Sequence, residues 1–498
     1  MDFMAEKQEK NQALEEKTTF NIDKEKDFSN WFSEILKTAE LADLRYNIKG
    51  FLVYQPWSVL CMEEMARLFE KALQRKGHKP YWFPVMIPEK NFHLEKEHVE
   101  GFAPEVFWVT ETGDGSKLEE KFALRPTSET AFYQMFSLWI RSYKDLPFKT
   151  YQRANVFRYE TRATRPFLRI REIHWIEGHC AFKSLEDSMK QVHEDMETTQ
   201  ELLHDAFGIP HIFFQRPQWD KFAGAVNTYA ADALMPDGRM LQLPSTHCLG
   251  QNFSKPFNVK FVDENSQEQF AYLTCYGPAF DRIFAACIIT HGDNKGLRFP
   301  FEISPLQVVI VPINFEKESK VLKKALELKE RLLELNYRVE IDGSEKRPGE
   351  KFYFWEMKGV PLRIEIGPKE LKAKELLVFR RDLEKKEKVK EKSLLEFVEK
   401  KGKEITKNLR ETADKKFKDI ILDAKTVEEA KKLLGEKKIV RASFCSTGLE
   451  SAKCAEAIEK DLGAKVRGTR VDLKEKPFSN CLVCGKAAKE VVYIAFEY

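Results

Sequence analysis

The stretch from Thr150 to Phe182, TYQRANVFRYETRATRPFLRIREIHWIEGHCAF, constrains the fold most, because six arginines are interleaved with aromatic and apolar residues. Its ends read as strands, VFRYE and LRIREIHWIEGHCAF, joined by the polar turn ETRATRP, in which Pro166 biases Arg165 toward an extended backbone. The pattern predicts a β-hairpin. On such strands Arg158 and Glu160 share one face, while Arg169, Arg171, Trp175, Glu177 and His179 share one parity on the second strand. Two readings fit: cations arranged to hold an anion, or charges that protect an exposed sheet edge.

A chain of 498 residues exceeds one typical core, so several domains are expected around that hairpin. The net charge is only +3, which means that a nucleic-acid partner would have to be met by a local patch. No apolar run is long enough to span a bilayer, and MDFMAEKQEKNQALEEK is charged where a signal peptide needs an apolar stretch. A cytoplasmic protein with no membrane partner is expected. Residues 1–26 read as a polar tail.

From Ser58 to Lys76, Met62, Met65, Ala66, Phe69, Ala72 and Leu73 recur at helical spacing, and Gly77 ends the pattern. KPYWFPVMIP follows as an extended segment whose Pro84 belongs at an edge. In KFALRPTSET a short strand leads to hydroxyls and a carboxylate. These either cap a helix beginning near Thr130 or, as Thr127 and Glu129, accept hydrogen bonds from a small cationic amine. Leu185–Phe207 reads as a second amphipathic helix, and KFAGA as a small-residue turn around Phe222. In GRMLQLPSTHCLGQNFSKPF, the polar Gln242, Ser245, Thr246 and His247 lie on an apolar strand, where a lone histidine is as readily structural as functional. Arg282 falls near the start of a helix, where it needs either a phosphate or a carboxylate such as Asp281 or Glu302.

After Ser304 strands and helices alternate in an α/β pattern, followed by a lysine-rich helical linker expected over Lys385–Lys418. The last segment carries Cys445, Cys454, Cys481 and Cys484. Its CLVCGK has the spacing of a zinc knuckle, although a single C-x-x-C is also compatible with redox chemistry.

Together these motifs resemble the class II aminoacyl-tRNA synthetases, specifically the prolyl-tRNA synthetases of archaeal and eukaryotic cytosolic type. FPVMIP with the preceding helix is similar to motif 1, FRYE through REIHWIEGH to motif 2, and CYGPAFDR to motif 3. RPTSET, KFAGA, HCLGQNFSK and GVPLRIEIGPKE are the segments that point to proline. The resemblance implies an α/β multidomain chain. An antiparallel-sheet catalytic domain would occupy 27–305, an anticodon-binding domain 306–407, and a zinc-associated α/β domain 408–498.

The same resemblance implies a proline–tRNA ligase acting on L-proline, ATP and tRNA(Pro), with Mg2+, a structural Zn2+ and a homodimer. A charging-inactive paralogue is the alternative reading, and an enzyme for threonine, glycine or histidine is a third. Arg158 and Arg282 would be catalytic. Thr127, Glu129, Arg158, Trp175, Glu177, His179, Phe222 and His247 would bind proline, and Arg158, Glu160, Arg169, Gln242, Ser245 and Arg282 would bind ATP. Glu356 and Lys369 would read the anticodon, and the four clustered cysteines would hold metal. The resemblance leaves Arg162 and Arg165 without a role, and their position on the turn suggests the tRNA acceptor end; Tyr498 corresponds to the terminal tyrosine of relatives. The short interval between motifs 2 and 3 leaves no room for the bacterial-type editing insertion, so mischarged alanine or cysteine is not expected to be cleared in cis.

Overall fold

In a computed structural model, the structure describes residues 20, 22–92, 105–316 and 318–498. Most of the expected polar tail lies outside these residues. Its described end is anchored, because Lys24 Nζ donates to the Gly292 carbonyl at 2.7 Å.

The chain folds into two compact units. One holds Leu44–Val53, Met62–Cys287 and Arg410–Tyr498, and the other holds Met1–Asp43, Tyr54–Cys61 and Ile288–Leu409. Helix α1, Pro56–Arg75, begins with proline, whose missing N–H costs nothing in a first turn. Gly77, at φ +89°, closes the segment. The six apolar residues expected on one face of α1 are all buried within the chain itself.

The first unit is built on a sheet of eleven strands. Its N-terminal part contains β1 (Lys79–Pro80), β2 (Met86–Pro88), β3 (Phe107–Glu111), β4 (Lys117–Leu124), α2 (Glu129–Trp139), β5 (Phe148–Phe157), β6 (Glu172–Phe182), α3 (Leu185–Thr199), β7 (Ile212–Gln215), β8 (Asn227–Leu234), β9 (Arg239–Gly250), β10 (Tyr272–Gly277) and α4 (Phe280–His291). β2, β4 and β3 form a separate three-stranded sheet. The expected hairpin is β5–β6, antiparallel in register from Phe148↔Ala181 to Phe157↔Glu172. Its strands end earlier than the sequence pattern indicates, so Arg158, Glu160, Arg169 and Arg171 lie in the connection. Arg165 and Arg169 bridge one another there, and Phe167 turns at φ +60° while its ring is fully buried. Burial of that ring folds the connection back and takes it out of the ladder. The expected helix Leu185–Phe207 is α3 continued by a π-helical turn, Gln200–Ala206.

The α/β part of the other unit contains β11 (Val308–Pro312), α5 (Ser319–Leu333), β12 (Val339–Ile341), α6 (Pro348–Met357), β13 (Leu362–Ile366), α7 (Pro368–Ala373), β14 (Glu375–Arg380) and β15 (Lys385–Lys390). The sheet order is β12-β11-β13-β14-β15. Lys385–Lys390 is thus an edge strand, not part of a helical linker. It pairs on one side only, with Val389 buried and lysines facing out, as suits an edge. The helix of that region is α8, Leu394–Lys418.

The C-terminal segment adds β16 (Ile421–Ala424), α9 (Val427–Gly435), β17 (Ile439–Phe444), α10 (Ala452–Leu462), β18 (Lys465–Arg470) and β19 (Glu490–Glu497). The whole sheet runs β16-β17-β19-β18-β7-β8-β9-β10-β6-β5-β1, with a further parallel pairing of β19 to β9. Strands of the C-terminal segment and of the N-terminal part therefore share one hydrogen-bonded sheet.

Candidate active site

The neighbouring strands β6, β10 and β9 bring His179, Cys275 and His247 into one register row, since Cys275 is opposite both histidines. A cavity of about 220 Å³ opens over this row. Around it stand Thr127, Glu129, Arg158, Trp175, Glu177, His179, Phe222, Gln242, Ser245, His247 and Arg282, so residues spread over 155 positions of the chain converge (Arg282 less Thr127). A neighbouring cavity of about 410 Å³ is lined by Glu105, Glu160 and Arg169. Arg158, Ile173 and Arg282 line both.

Arg125 shapes the loop before α2 by donating to the carbonyls of Asn155 and Phe83, each at 2.8 Å. Thr127 then donates its hydroxyl to the buried Glu129 carboxylate. The expected capping use of these hydroxyls is not what they do. Ser128 occupies the N-cap position without a side-chain cap bond; it donates instead to Glu177 Oε1 at 3.0 Å and accepts from Gln152 Nε2 at 2.9 Å. Burial makes such a bond worth more than a solvated cap.

Glu177 organises one wall. Trp175 Nε1 donates to its Oε1 at 2.6 Å, and His179 Nε2 lies 3.0 Å from Oε2. Tyr133 OH lies 3.1 Å from His179 Nδ1, which fits an imidazole donating from Nε2 and accepting at Nδ1. On the opposite wall, Thr228 Oγ1 accepts from the Phe222 N–H at 2.9 Å and donates to His247 Nδ1 at 2.9 Å. His247 Nε2 lies 3.1 Å from Ser245 Oγ, and the Phe222 ring packs 4.6 Å from the imidazole. Burial pushes the imidazole down to about 4, so His247 is a neutral hydrogen-bonding group at physiological pH.

Between the two cavities cations crowd together. Arg158 donates from Nε to the Pro126 carbonyl at 3.0 Å, and its guanidinium lies 5.3 Å from the Trp175 ring centroid. Arg282 donates to the carbonyls of Leu168 and Gln242 at 3.2 and 3.3 Å. Burial, with Arg158 and Arg169 close by, pushes Arg282 down to about 10. Glu160 and Asp281 offset this only in part, and an anion accepting from the buried guanidiniums would offset the rest. Glu160 lies 3.5 Å from Arg169 and accepts from the Arg162 N–H at 2.9 Å.

Arg162 also lines the larger cavity, and the other expected residues lie elsewhere. Arg162 pairs with Glu497 at 3.5 Å, and Arg165 donates to Tyr498 OH at 3.2 Å and faces Asp237 at 3.7 Å. Both turn arginines thus already engage this chain's C-terminal strand or the loop beside it. Glu356, on α6, accepts from Arg363 Nη1 at 2.7 Å, while Lys369 is exposed on α7. The four cysteine sulfurs lie within 4.8 Å of one another, with Cys445 and Cys454 3.7 Å apart. A main-chain N–H from Lys486 pushes the Cys484 thiol down to about 7. Sequence reasoning missed Ser128, Arg216, Thr228 and Cys275. Ser128 and Cys275 lie inside RPTSET and CYGPAFDR, which could have pointed to them, whereas Arg216 and Thr228 lie outside every motif.

An antiparallel sheet carrying an arginine hairpin and an arginine-bearing helix over one cavity defines a class II aminoacyl-tRNA synthetase core. Residues 107–291 match the tRNA synthetase class II core domain (G, H, P, S and T), 307–401 an anticodon binding domain, and 427–498 the C-terminal domain of prolyl-tRNA synthetases. The chain is 48% identical to the proline–tRNA ligase of Thermofilum pendens over 96% of its length and 98% of the relative's. It is 41% identical to that of Pyrococcus abyssi over 95% and 98%. A Giardia lamblia prolyl-tRNA synthetase in complex with prolyl-adenylate superimposes with a TM-score of 0.92 at 34% identity, covering 96% of this chain and all of that one. The chain belongs to the prolyl-tRNA synthetases, which are proline–tRNA ligases.

Proposed function

We propose that the smaller cavity holds L-proline and the larger one the nucleotide of ATP, with Arg158 and Arg282 at the α-phosphate between them. The carrying observation is that these two arginines line both cavities. Thr127 and Glu129 accept from proline's cationic imino group, Trp175 and Phe222 flank its ring, and Glu177, His179 and His247 hold those walls. Arg158 receives the carboxylate. Glu160 and Arg169 serve the adenine side. Gln242 and Ser245 line the smaller cavity and approach the nucleotide from the proline side, next to Arg282.

Proline's carboxylate oxygen attacks the α-phosphorus, the bond to the bridging oxygen breaks, and diphosphate leaves with its electron pair. The terminal ribose hydroxyl of tRNA(Pro) then attacks the prolyl carbonyl, loses its proton, and expels AMP. No protein nucleophile is needed, because positioning and fixed cations carry the reaction. Magnesium, when bound with ATP, would neutralise phosphate charge, and Glu105 and Glu160 supply oxygens along the cavity that could meet it or its waters. The cysteine cluster suits zinc, since sulfurs about 2.3 Å from a tetrahedral ion lie roughly 3.8 Å apart, close to the separation of Cys445 and Cys454.

Glu356 and Lys369 would meet anticodon bases, with the Arg363 bond orienting the carboxylate. A cytoplasmic homodimer completes the reading, and among the described residues no helix is long and apolar enough to cross a membrane. The apolar face of α1 is consumed inside the protomer, so the dimer surface is assigned to Trp82, 90% exposed beside the edge strand β1, with Met86 and Leu138. Proline-dependent ATP–pyrophosphate exchange tests the reading. Arg158→Ala should lower it at least about 100-fold with the fold intact, whereas exchange with another amino acid and none with proline would refute it.

A further inference from the structure

A buried polar chain runs from the C-terminal strands to the cavity wall. Arg216, just after β7, grips both oxygens of Asp232, with Nη2 2.6 Å from Oδ1 and Nη1 2.8 Å from Oδ2. Asp232 is fully buried and accepts a third bond, from Arg467 Nε at 2.8 Å. Arg467 lies on β18, is equally sequestered, and donates from Nη1 to Glu497 on β19 at 2.6 Å. Its own carbonyl accepts from Arg216 Nη1 at 2.9 Å. Gly468 permits this approach. At φ +121°, a Cβ there would stand 2.0 Å from the Gln215 carbonyl oxygen, so β18 and β7 meet backbone to backbone at this point.

The cavity end of the chain is Gln242. Arg216 Nη2 lies 3.0 Å from its Oε1. A guanidinium can only donate, so Gln242 must turn its carbonyl oxygen toward Arg216 and its NH2 away from it. Both residues line the smaller cavity, and the Gln242 main-chain carbonyl is held by Arg282, which lines the nucleotide cavity as well, so Gln242 stands at the end of the smaller cavity that faces the nucleotide.

We infer that Arg467 is a positioning residue for adenylate formation: acting through Asp232 and Arg216, it fixes the amide of Gln242 with its NH2 group toward the nucleotide. The C-terminal segment thereby sets the geometry of a substrate contact it does not itself make. This inference rests on the proposed role of Gln242 at the nucleotide. If the cluster served only to pack β18 on β7, its loss would lower stability without favouring one substrate.

Pyrophosphate exchange by the full chain separates these outcomes. Gln242→Leu should raise KM for ATP about tenfold and leave KM for proline within about twofold, a size typical of a lost polar contact. Arg467→Gln should shift KM for ATP in the same direction, and the double variant should be no worse than Gln242→Leu alone. If Arg467→Gln does not yield folded protein, Glu497→Gln, which loosens the half-buried far end of the polar chain, replaces it in the same cycle. Multiplying effects in the double variant, or equal shifts for ATP and proline, overturn the relay while leaving Gln242 at the nucleotide. An unchanged KM for ATP in Gln242→Leu removes that role, and the inference with it.

Discussion

Replacing Asp195 with Asn should stabilise the protein, and only above a definite pH. Asp195 lies on α3, 2% exposed, and accepts from Gln191 Nε2 and Thr246 Oγ1, each at 2.7 Å. Burial is the largest influence on its carboxyl and Glu194 adds to it, outweighing the two hydrogen bonds and Lys149, so the group is pushed up from 3.8 to about 7. Between those two values the folded chain holds a proton that the unfolded chain has released. Stability is therefore greatest below about pH 4, falls as pH rises, and levels off above about pH 7. At about 1.4 kcal/mol per pH unit the cost reaches roughly 4 kcal/mol above about pH 7. Asparagine has nearly the same shape, and with its oxygen toward Gln191 its NH2 can donate to the Thr246 hydroxyl, which can turn to accept, so Asp195→Asn should escape this cost. In thermal melts from pH 4 to 9, the midpoint of the variant should equal the wild-type value at the acid end, exceed it increasingly to pH 7, and stay ahead by a constant margin beyond. A midpoint difference independent of pH, or one that shrinks as pH rises, would refute the reasoning. Thr246 sits between Ser245 and His247 on β9, so exchange kinetics on the same samples would show whether this carboxyl also tunes the cavity.

Purified protein should carry one zinc per chain by elemental analysis, and Cys481→Ser should lose it together with several degrees of thermal stability; metal-free protein of unchanged stability would contradict a structural zinc site. Trp82→Glu should convert a dimer to a monomer in light scattering, because a fully desolvated Trp contributes about 2 kcal/mol or more at an interface, and an undisturbed dimer would place the interface elsewhere.

Local periodicity made much of the first unit readable. The burial of Met62, Met65 and Phe69 and the β5–β6 hairpin follow from spacings of three, four and two residues, which report one face of one element. Family motifs carried Thr127, Glu129 and Arg282 to the cavity because each motif lies at the end of an element the sheet brings there. Where strands stop was harder to read, since Arg158 leaves the ladder only because Phe167, nine residues on, is drawn into the core. The lysines of β15 likewise look solvated in either helix or strand, and only pairing with β14 decides between them. Ser128 shows a local rule losing to a distant partner, as Glu177 takes the hydroxyl that a cap would have used. Arg216 and Arg467 are the extreme case, being 251 positions apart with no periodic pattern to link them. Their meeting depends on β18 pairing with β7, a register set by side chains from both strands and by the absence of one at Gly468. A charge buried that far from its sequence neighbours needs its partner in place before it can be accommodated, so Asp232 commits the catalytic and C-terminal strands to fold as one sheet.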